Sequence, residues 1–162
     1  MDLFTNSKDV IMSFDDIVSV LSRAFGLELK VVQDTTVFEV DSEDGSTKVQ
    51  VVIHYVSERK LVLMSADLGE PPPEGGERLF RTMLEANNLF EGTVGATLAL
   101  DAATGRFRLQ RYESPDEFSN DIKAIVESFI ETALFWSRAI ADFRPTGEEP
   151  EAPSGDFHMM HV

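Results

Sequence analysis

Apolar residues recur along the chain first at helical spacing, then at every second position, and finally at helical spacing again. Between Phe14 and Phe25 they lie three and four positions apart, which places them on one face of a helix. Ser13 is suited to the N-cap, Asp16 follows it at capping-box spacing, and Gly26 is suited to the left-handed position after the last turn. The first element is therefore predicted to be a short amphipathic helix over 14–25.

A series of strands is predicted next, because the spacing changes to alternation and to β-branched residues. Residues 27–31 and 37–40 show this pattern, and Lys48–Val56 and Lys60–Asp67 show it over longer runs. Lys48–Val56 is apolar on both faces, which is typical of an interior strand or of a strand whose second face meets a partner. We expect a three- or four-stranded antiparallel meander.

The second half begins with prolines 71–73, which cannot continue a helix interior or a sheet ladder. A middle helix of about three turns is predicted next, with an apolar stripe between Leu79 and Ala86 and an end weakened by Asn87 and Asn88. A hairpin follows, whose strands, Thr93–Leu100 and Arg106–Tyr112, flank a five-residue loop. Ser114 and Pro115 then begin one long helix that runs to Phe143. The predicted fold class is α+β, an antiparallel sheet with N-terminal, middle and long C-terminal helices in the order α-βββ-α-ββ-α.

The domain organisation follows from where this patterning stops. Residues 1–143 are interpreted as one domain, long enough to bury its own core. Residues 144–162 are acidic and rich in proline and glycine, which predicts a disordered tail.

Charge narrows the possible partners. The chain has 14 Lys and Arg against 29 Asp and Glu, a formal net charge of −15. Such a surface disfavours nucleic acid and anionic membranes, and it favours basic or aggregation-prone polypeptides. There is no cysteine, and no apolar run approaches the length of a membrane span. The first residues lack the pattern of a secretory signal, so the cytoplasm is the expected location.

No residue pattern indicates catalysis or a bound cofactor. His54 is the histidine that falls within a predicted element, and no second metal ligand lies at useful spacing from it. Arg106, Arg108 and Arg111 interleave with an aromatic residue, as in a single-strand nucleic-acid platform. In so acidic a chain, a solvated strand face or contacts with an acidic client are the better interpretations. We therefore expect no enzyme activity, no cofactor and no metal.

Four segments together resemble a known family. The first is a hydrophobic strand ending in Asp-Leu-Gly, Leu61–Gly69, and the second is a characteristic helix end, Met83–Asn87. The third contains Asp-x-x-Thr-Gly between two strands, Leu98–Leu109, and the fourth carries an aromatic–Trp pair, Phe129–Trp136. In this order they resemble the class I chaperones of bacterial type III secretion, the Tir-chaperone-like family, across residues 14–143. The tail is longer than such chaperones need.

The resemblance implies a cytoplasmic bacterial homodimer. Such a protein binds the N-terminal segment of a secreted effector or translocated protein, here called the client, and keeps it export-competent without ATP. The client segment is held extended, adding a strand to a sheet edge and placing apolar side chains in grooves. The alternative left open is a non-secretory protein-interaction domain of the same fold.

Two sets of residues are candidates for these contacts, and both have monomer core as the alternative interpretation. The candidate client-binding residues are Phe38, Val40, Val51, Ile53 and Tyr55. The candidate dimer-interface residues are Met83, Val94, Ala96 and Leu98. Strand register does not say which face of Lys48–Val56 is groove and which is core. The resemblance likewise leaves open whether the dimer uses the middle helix or the following strand.

Overall fold

The structure is a computed structural model that describes residues 13–144. Its elements are α1 Phe14–Phe25, β1 Thr35–Asp41, β2 Lys48–Val56, β3 Leu61–Gly69, α2 Gly76–Asn87, a 3₁₀ turn Asn88–Phe90, β4 Thr97–Asp101, β5 Arg106–Glu113, α3 Pro115–Asn120 and α4 Ile122–Ala141. The predicted disordered tail lies outside the described residues except for Arg144.

One five-stranded antiparallel sheet organises the chain, with the strand order β1-β2-β3-β5-β4. The β1-β2-β3 meander and the β4–β5 hairpin thus join through β3 and β5, and β1 and β4 form the two edges. This confirms the predicted α+β fold class with N-terminal, middle and C-terminal helices.

The helices cover one face of this sheet. Val51 pairs with Phe38 on one side and Ala66 on the other, and Ala66 pairs with Leu109, so these buried side chains share that face. Helix α4 packs across β3 and β2, and α1 packs against α4. We call this the covered face.

Rings from α1 and α2 meet the same face near opposite ends of the sheet. Phe14 of α1 stacks on Tyr55 with ring centroids 6.1 Å apart, and Phe80 of α2 meets Phe107 edge-on at 5.4 Å. The described helices therefore pack on one side of the sheet, and none of them covers the second side.

Helix α1 begins and ends where the sequence predicts. Ser13 accepts a hydrogen bond from the Asp16 N–H, the Asp16 carboxylate accepts one from the Ser13 N–H, and Gly26 takes φ 65°. These local contacts satisfy backbone groups that the first and last turns leave unpaired.

The long C-terminal helix is interrupted, which corrects the prediction of one continuous helix. Asp121 has φ −140° and ψ 43°, and it separates α3 from α4. Asn120 and Asp121 are poor helix formers. The break lets α3 contact β3 while α4 crosses the sheet, and Phe118 and Ile122 on either side of it are both buried.

Two predicted strand segments are not strands. Residues 27–31 lie in irregular chain, and their alternation comes from Leu27, Leu29 and Val31 packing against the core. Strand β4 begins at Thr97, not Thr93, because positive φ angles at residues 94 and 95 are incompatible with an extended strand.

Candidate binding surfaces

The five predicted client-binding residues all lie on the covered face. Val51 and Ile53 are fully buried and Phe38 is buried, whereas Val40 and Tyr55 are partly buried at the margin of the core. Their contact with a client stays a prediction. Of the five, Val40 and Tyr55 are the members that keep some exposed surface.

The opposite face of the sheet carries an apolar surface. Cross-strand pairs bring its side chains together, Val37 beside Val52, His54 beside Leu63, and Leu63 beside Tyr112. Val37 and Tyr112 expose 47% and 49% of their surface. We define the open-face patch as Val37, Val52, His54, Val56, Leu61, Leu63 and Tyr112.

Part of the open-face patch was visible in the sequence. The apolar second face of Lys48–Val56 identified Val52, His54 and Val56, but Val37, Leu63 and Tyr112 join them only through strand register. The described side-chain hydrogen bond of His54 joins its Nδ1 to the hydroxyl of Thr35 at 2.8 Å. No group of three or more His, Asp or Glu within residues 13–144 is placed to hold a metal ion.

The β5 end of the open face is polar. Arg106 donates to Asp67 at 2.7 Å and to Glu70 at 2.8 Å, and Arg108 donates to Asp101 at 3.0 Å. Partial burial by itself raises the pKa of Asp67, but hydrogen bonds from Arg106 and from a backbone N–H outweigh it, so the pKa lies below its usual value. On the covered face, Arg111 is likewise bound to Glu113, at 2.6 Å. A carboxylate therefore neutralises each β5 arginine, which leaves no cationic strip for a phosphate backbone.

The outer edge of β1 presents unpaired backbone groups. Thr35 exchanges both backbone hydrogen bonds with Val32, at 3.1 and 2.9 Å, so its N–H and C=O point away from β2. Because this direction alternates along an antiparallel strand, the N–H and C=O of Val37 and Glu39 also point outward. No described residue pairs with them. Within residues 13–144, the β1 edge is therefore open next to Val37 of the open-face patch.

The outer edge of β4 is closed at its centre. The Asn87 amide Nδ2 donates to the Leu98 carbonyl at 3.0 Å, and the Leu98 N–H donates to Asn87 Oδ1 at 2.8 Å. A side-chain amide at the end of α2 thus occupies both backbone groups that an added strand would use.

The four predicted dimer-interface residues separate into two groups. Met83, Ala96 and Leu98 are buried within the chain, whereas Val94 is exposed. Their part in a dimer stays a prediction.

A second apolar surface surrounds Val94. Leu84 and Leu89 expose 70% and 78% of their surface, and Phe90 and Leu100 are also exposed. We define the α2–β4 patch as Leu84, Leu89, Phe90, Val94 and Leu100. Leu84 lies in a shallow open depression between Arg81 and Glu85, which form no ion pair with residues 13–144. In the sequence, Leu84 belongs to the apolar stripe of the middle helix, so its exposure was not predicted, and the exposure of Leu89, Phe90 and Val94 depends on the loop conformation.

A membrane-spanning helix is not among the elements of residues 13–144, since none is both long enough and apolar enough. The two exposed apolar patches lie on an acidic chain and are therefore candidates for contacts with polypeptides.

Comparison with known proteins gives consistent matches. The family model described as Tir chaperone protein (CesT) family matches residues 19–137. Two solved structures share the fold, the ExsC–ExsE complex and the HopA1–SchA chaperone–effector complex, with TM-scores of 0.57 and 0.58 at 17% and 14% identity. The match to the first structure covers 76% of this chain and 90% of the matched chain. The match to the second covers 80% of this chain and 94% of the matched chain. Among curated proteins, no sequence match reaches significance.

Proposed function

Because the chain belongs to the Tir chaperone (CesT) family, we propose that it is a cytoplasmic chaperone of type III secretion that binds an effector. In this proposal it binds the N-terminal segment of the client in an extended form and keeps it export-competent without ATP. The observation that carries the proposal is the open β1 edge beside the open-face patch.

Strand addition at β1 would use both features at once. The outward N–H and C=O groups of Val37 and Glu39 offer main-chain hydrogen bonds to an extended segment. Alternate side chains of that segment would project onto the open face beside Val37 and Val52. Main-chain bonds would then give affinity, and the apolar patch would select the client's side chains.

Charge favours a basic client segment at this edge. Glu39 and Asp41 project from β1 beside Lys48, which pairs with them at 3.3 and 3.6 Å. Two carboxylates face one ammonium group, so a lysine or arginine of the client would find an incompletely neutralised acidic site. The same carboxylates disfavour pairing between the β1 edges of two identical acidic chains.

For assembly, we propose a homodimer formed through the α2–β4 patch. A two-fold interface must be self-complementary. Arg81 and Glu85 flank the exposed Leu84 on one helix face, so two antiparallel copies of α2 would place Arg81 of one against Glu85 of the other. A second copy therefore fits this surface in both charge and hydrophobicity.

The test of client binding begins with capture from the source bacterium. We expect near-stoichiometric recovery of one secreted protein with tagged wild-type chain, protection of its N-terminal segment from protease, and loss of capture when that segment is deleted. Val37→Asp should abolish capture while leaving the dimer intact. Recovery of a partner that is not secreted would instead support the alternative, a non-secretory interaction domain.

Leu89→Asp is the reciprocal variant for the dimer. Aspartate tolerates the left-handed backbone that Leu89 adopts better than leucine does, so the fold should be retained. We expect wild type to scatter light as a dimer, and Leu89→Asp as a monomer that still binds client. A wild-type monomer at micromolar concentration would contradict the dimer without touching the client-binding proposal.

A further inference from the structure

The loop that follows α2 combines exposure with backbone strain. Leu89, Phe90 and Val94 adopt φ angles of 54°, 58° and 49°, and each is a large apolar residue exposed to solvent. Left-handed backbone is uncommon for such residues and is an outlier for a β-branched one. The described chain does not compensate for this strain by burying the three side chains.

Trp136 of α4 holds the centre of the loop. Its indole N–H donates to the Gly92 carbonyl at 2.9 Å, and the Gly92 N–H donates to the Ala86 carbonyl at 3.2 Å. The approach is so close that a Cβ at residue 92 would lie 2.6 Å from the Ala86 Cβ. A glycine and an indole donor together bring the loop back onto the end of α2.

Arg111 of β5 holds the loop on its other side. Its Nη1 donates to the Val94 carbonyl at 3.2 Å, and its Nε donates to Glu113 at 2.6 Å. Both Arg111 and Glu113 are largely shielded from solvent. The guanidinium is therefore fixed in orientation and fixes Val94 in turn.

We propose that Trp136 and Arg111 are positioning residues for subunit pairing, which hold the strained loop so that Leu89, Phe90 and Val94 are presented to a second copy of the chain. Strain maintained at an exposed surface is typical of sites preorganised for contact. The loop is continuous with Leu84, whose neighbours Arg81 and Glu85 suit a second copy. This inference rests on the proposed dimer. If it holds, the affinity of the dimer depends partly on Trp136 and Arg111, which lie outside the α2–β4 patch.

The experiment compares Trp136→Phe with Phe129→Leu. Trp136→Phe keeps an aromatic ring in the core but removes the donor to Gly92, whereas Phe129→Leu perturbs the same helix at a buried ring with no described hydrogen bond to the loop. The dimer dissociation constant is measured by analytical ultracentrifugation, and the melting temperature of each variant is measured alongside. We expect Trp136→Phe to weaken the dimer by tenfold or more, and Phe129→Leu to weaken it by less than threefold at a similar loss of thermal stability.

Arg111→Lys gives an independent readout should Trp136→Phe fail to fold. Lysine keeps the charge near Glu113 but lacks the fork that reaches the Val94 carbonyl, so the dimer should again weaken. Equal dissociation constants for wild type, Trp136→Phe and Arg111→Lys would overturn the inference. The inference would also be overturned if Phe129→Leu weakened the dimer as much as Trp136→Phe does at the same loss of thermal stability. A wild-type chain that is monomeric would refute the proposed dimer itself, and the two failures are thus distinguishable.

Discussion

The two edges of the sheet differ in how their outward backbone groups are satisfied. At β1, the N–H and C=O of Val37 and Glu39 have no described partner. At β4, the equivalent groups of Leu98 are both bonded to the side chain of Asn87. An edge strand with unpaired backbone groups can pair with another chain, so β1 is where we expect a partner strand to add.

The difference comes from neighbouring elements, not from strand composition alone. Helix α2 ends beside β4 and delivers an amide with one donor and one acceptor, which imitates a strand residue. No described helix residue bonds to the outward backbone groups of Val37 and Glu39. There Glu39 and Asp41 supply charge, which discourages self-association and leaves the backbone accessible. The comparison teaches that client strand addition should be confined to β1.

Among the changes that compare the two edges, Glu39→Pro has the largest expected effect. The Glu39 N–H points away from β2, so proline removes an outward donor without breaking the ladder, and the fold should survive. Affinity for the captured client, measured by isothermal titration calorimetry, should fall by about tenfold or more, since one lost bond and a ring at the edge both oppose strand addition.

Leu100→Pro is the matched change at the other edge, because the backbone N–H of Leu100, like that of Leu98, points away from β5. It should leave client affinity unchanged. Equal losses from both prolines would mean that the client does not distinguish the edges.

Asn87→Ala should open the β4 edge. Leu98 would lose the partners of both backbone groups, which predicts a fall in the free energy of unfolding of about 1–3 kcal/mol in urea denaturation. Hydrogen exchange at the Leu98 amide should accelerate at the same time. Asn88→Ala is the control, since no described side-chain hydrogen bond involves Asn88. A protected Leu98 amide in Asn87→Ala would show that Asn87 does not close this edge.

A pH-dependent contact secures the hairpin that carries the β1 edge. Hydrogen bonds from the Ser42 hydroxyl and from the N–H and hydroxyl of Ser46, with Arg138 of α4 at 2.7 Å, hold the pKa of Asp44 well below its usual value. A depressed pKa contributes stability that is present above the unfolded-state pKa near 4 and is lost as pH falls through the lower folded-state pKa.

Asp44→Asn should therefore reduce the stability difference between pH 5 and pH 2, measured from melting temperatures at a series of pH values. The wild-type chain should lose more stability than the variant over that range. Identical slopes would mean that the turn is not secured through the Asp44 carboxylate.

The smallest expected effect is from Lys48→Gln at the open edge. Lys48 is exposed, so the loss of its pairs with Glu39 and Asp41 should change the free energy of unfolding by less than about 1 kcal/mol. Removing it leaves the two carboxylates free, and affinity for a basic client should rise by about twofold at low salt and less at high salt. A weaker complex would indicate that the segment facing β1 is acidic.

Prediction from sequence succeeded where the determining contacts are local. The limits of α1 follow from a capping box spaced three residues apart and from a C-terminal glycine, and the limits of β2 from a run rich in β-branched residues. It failed at Asp121, where tertiary packing favours two helices over one, and at Val94, where positive φ delays the start of β4. The closure of the β4 edge depends on Asn87 and Leu98, eleven positions apart, whose meeting no local pattern reports.

By itself, the sequence determined the element order, the α+β class, the acidic character and the family resemblance. The first three depend on periodicity, capping and composition, which act over a few residues, whereas the resemblance rests on four segments taken in their order along the chain. Only the tertiary structure decided which sheet face is covered, which edge is open and which apolar residues remain exposed. Those properties arise from strand register and helix placement. Val51 and Val52 lie on opposite faces of β2 by alternation alone, but only the packed helices make the Val51 face the covered one.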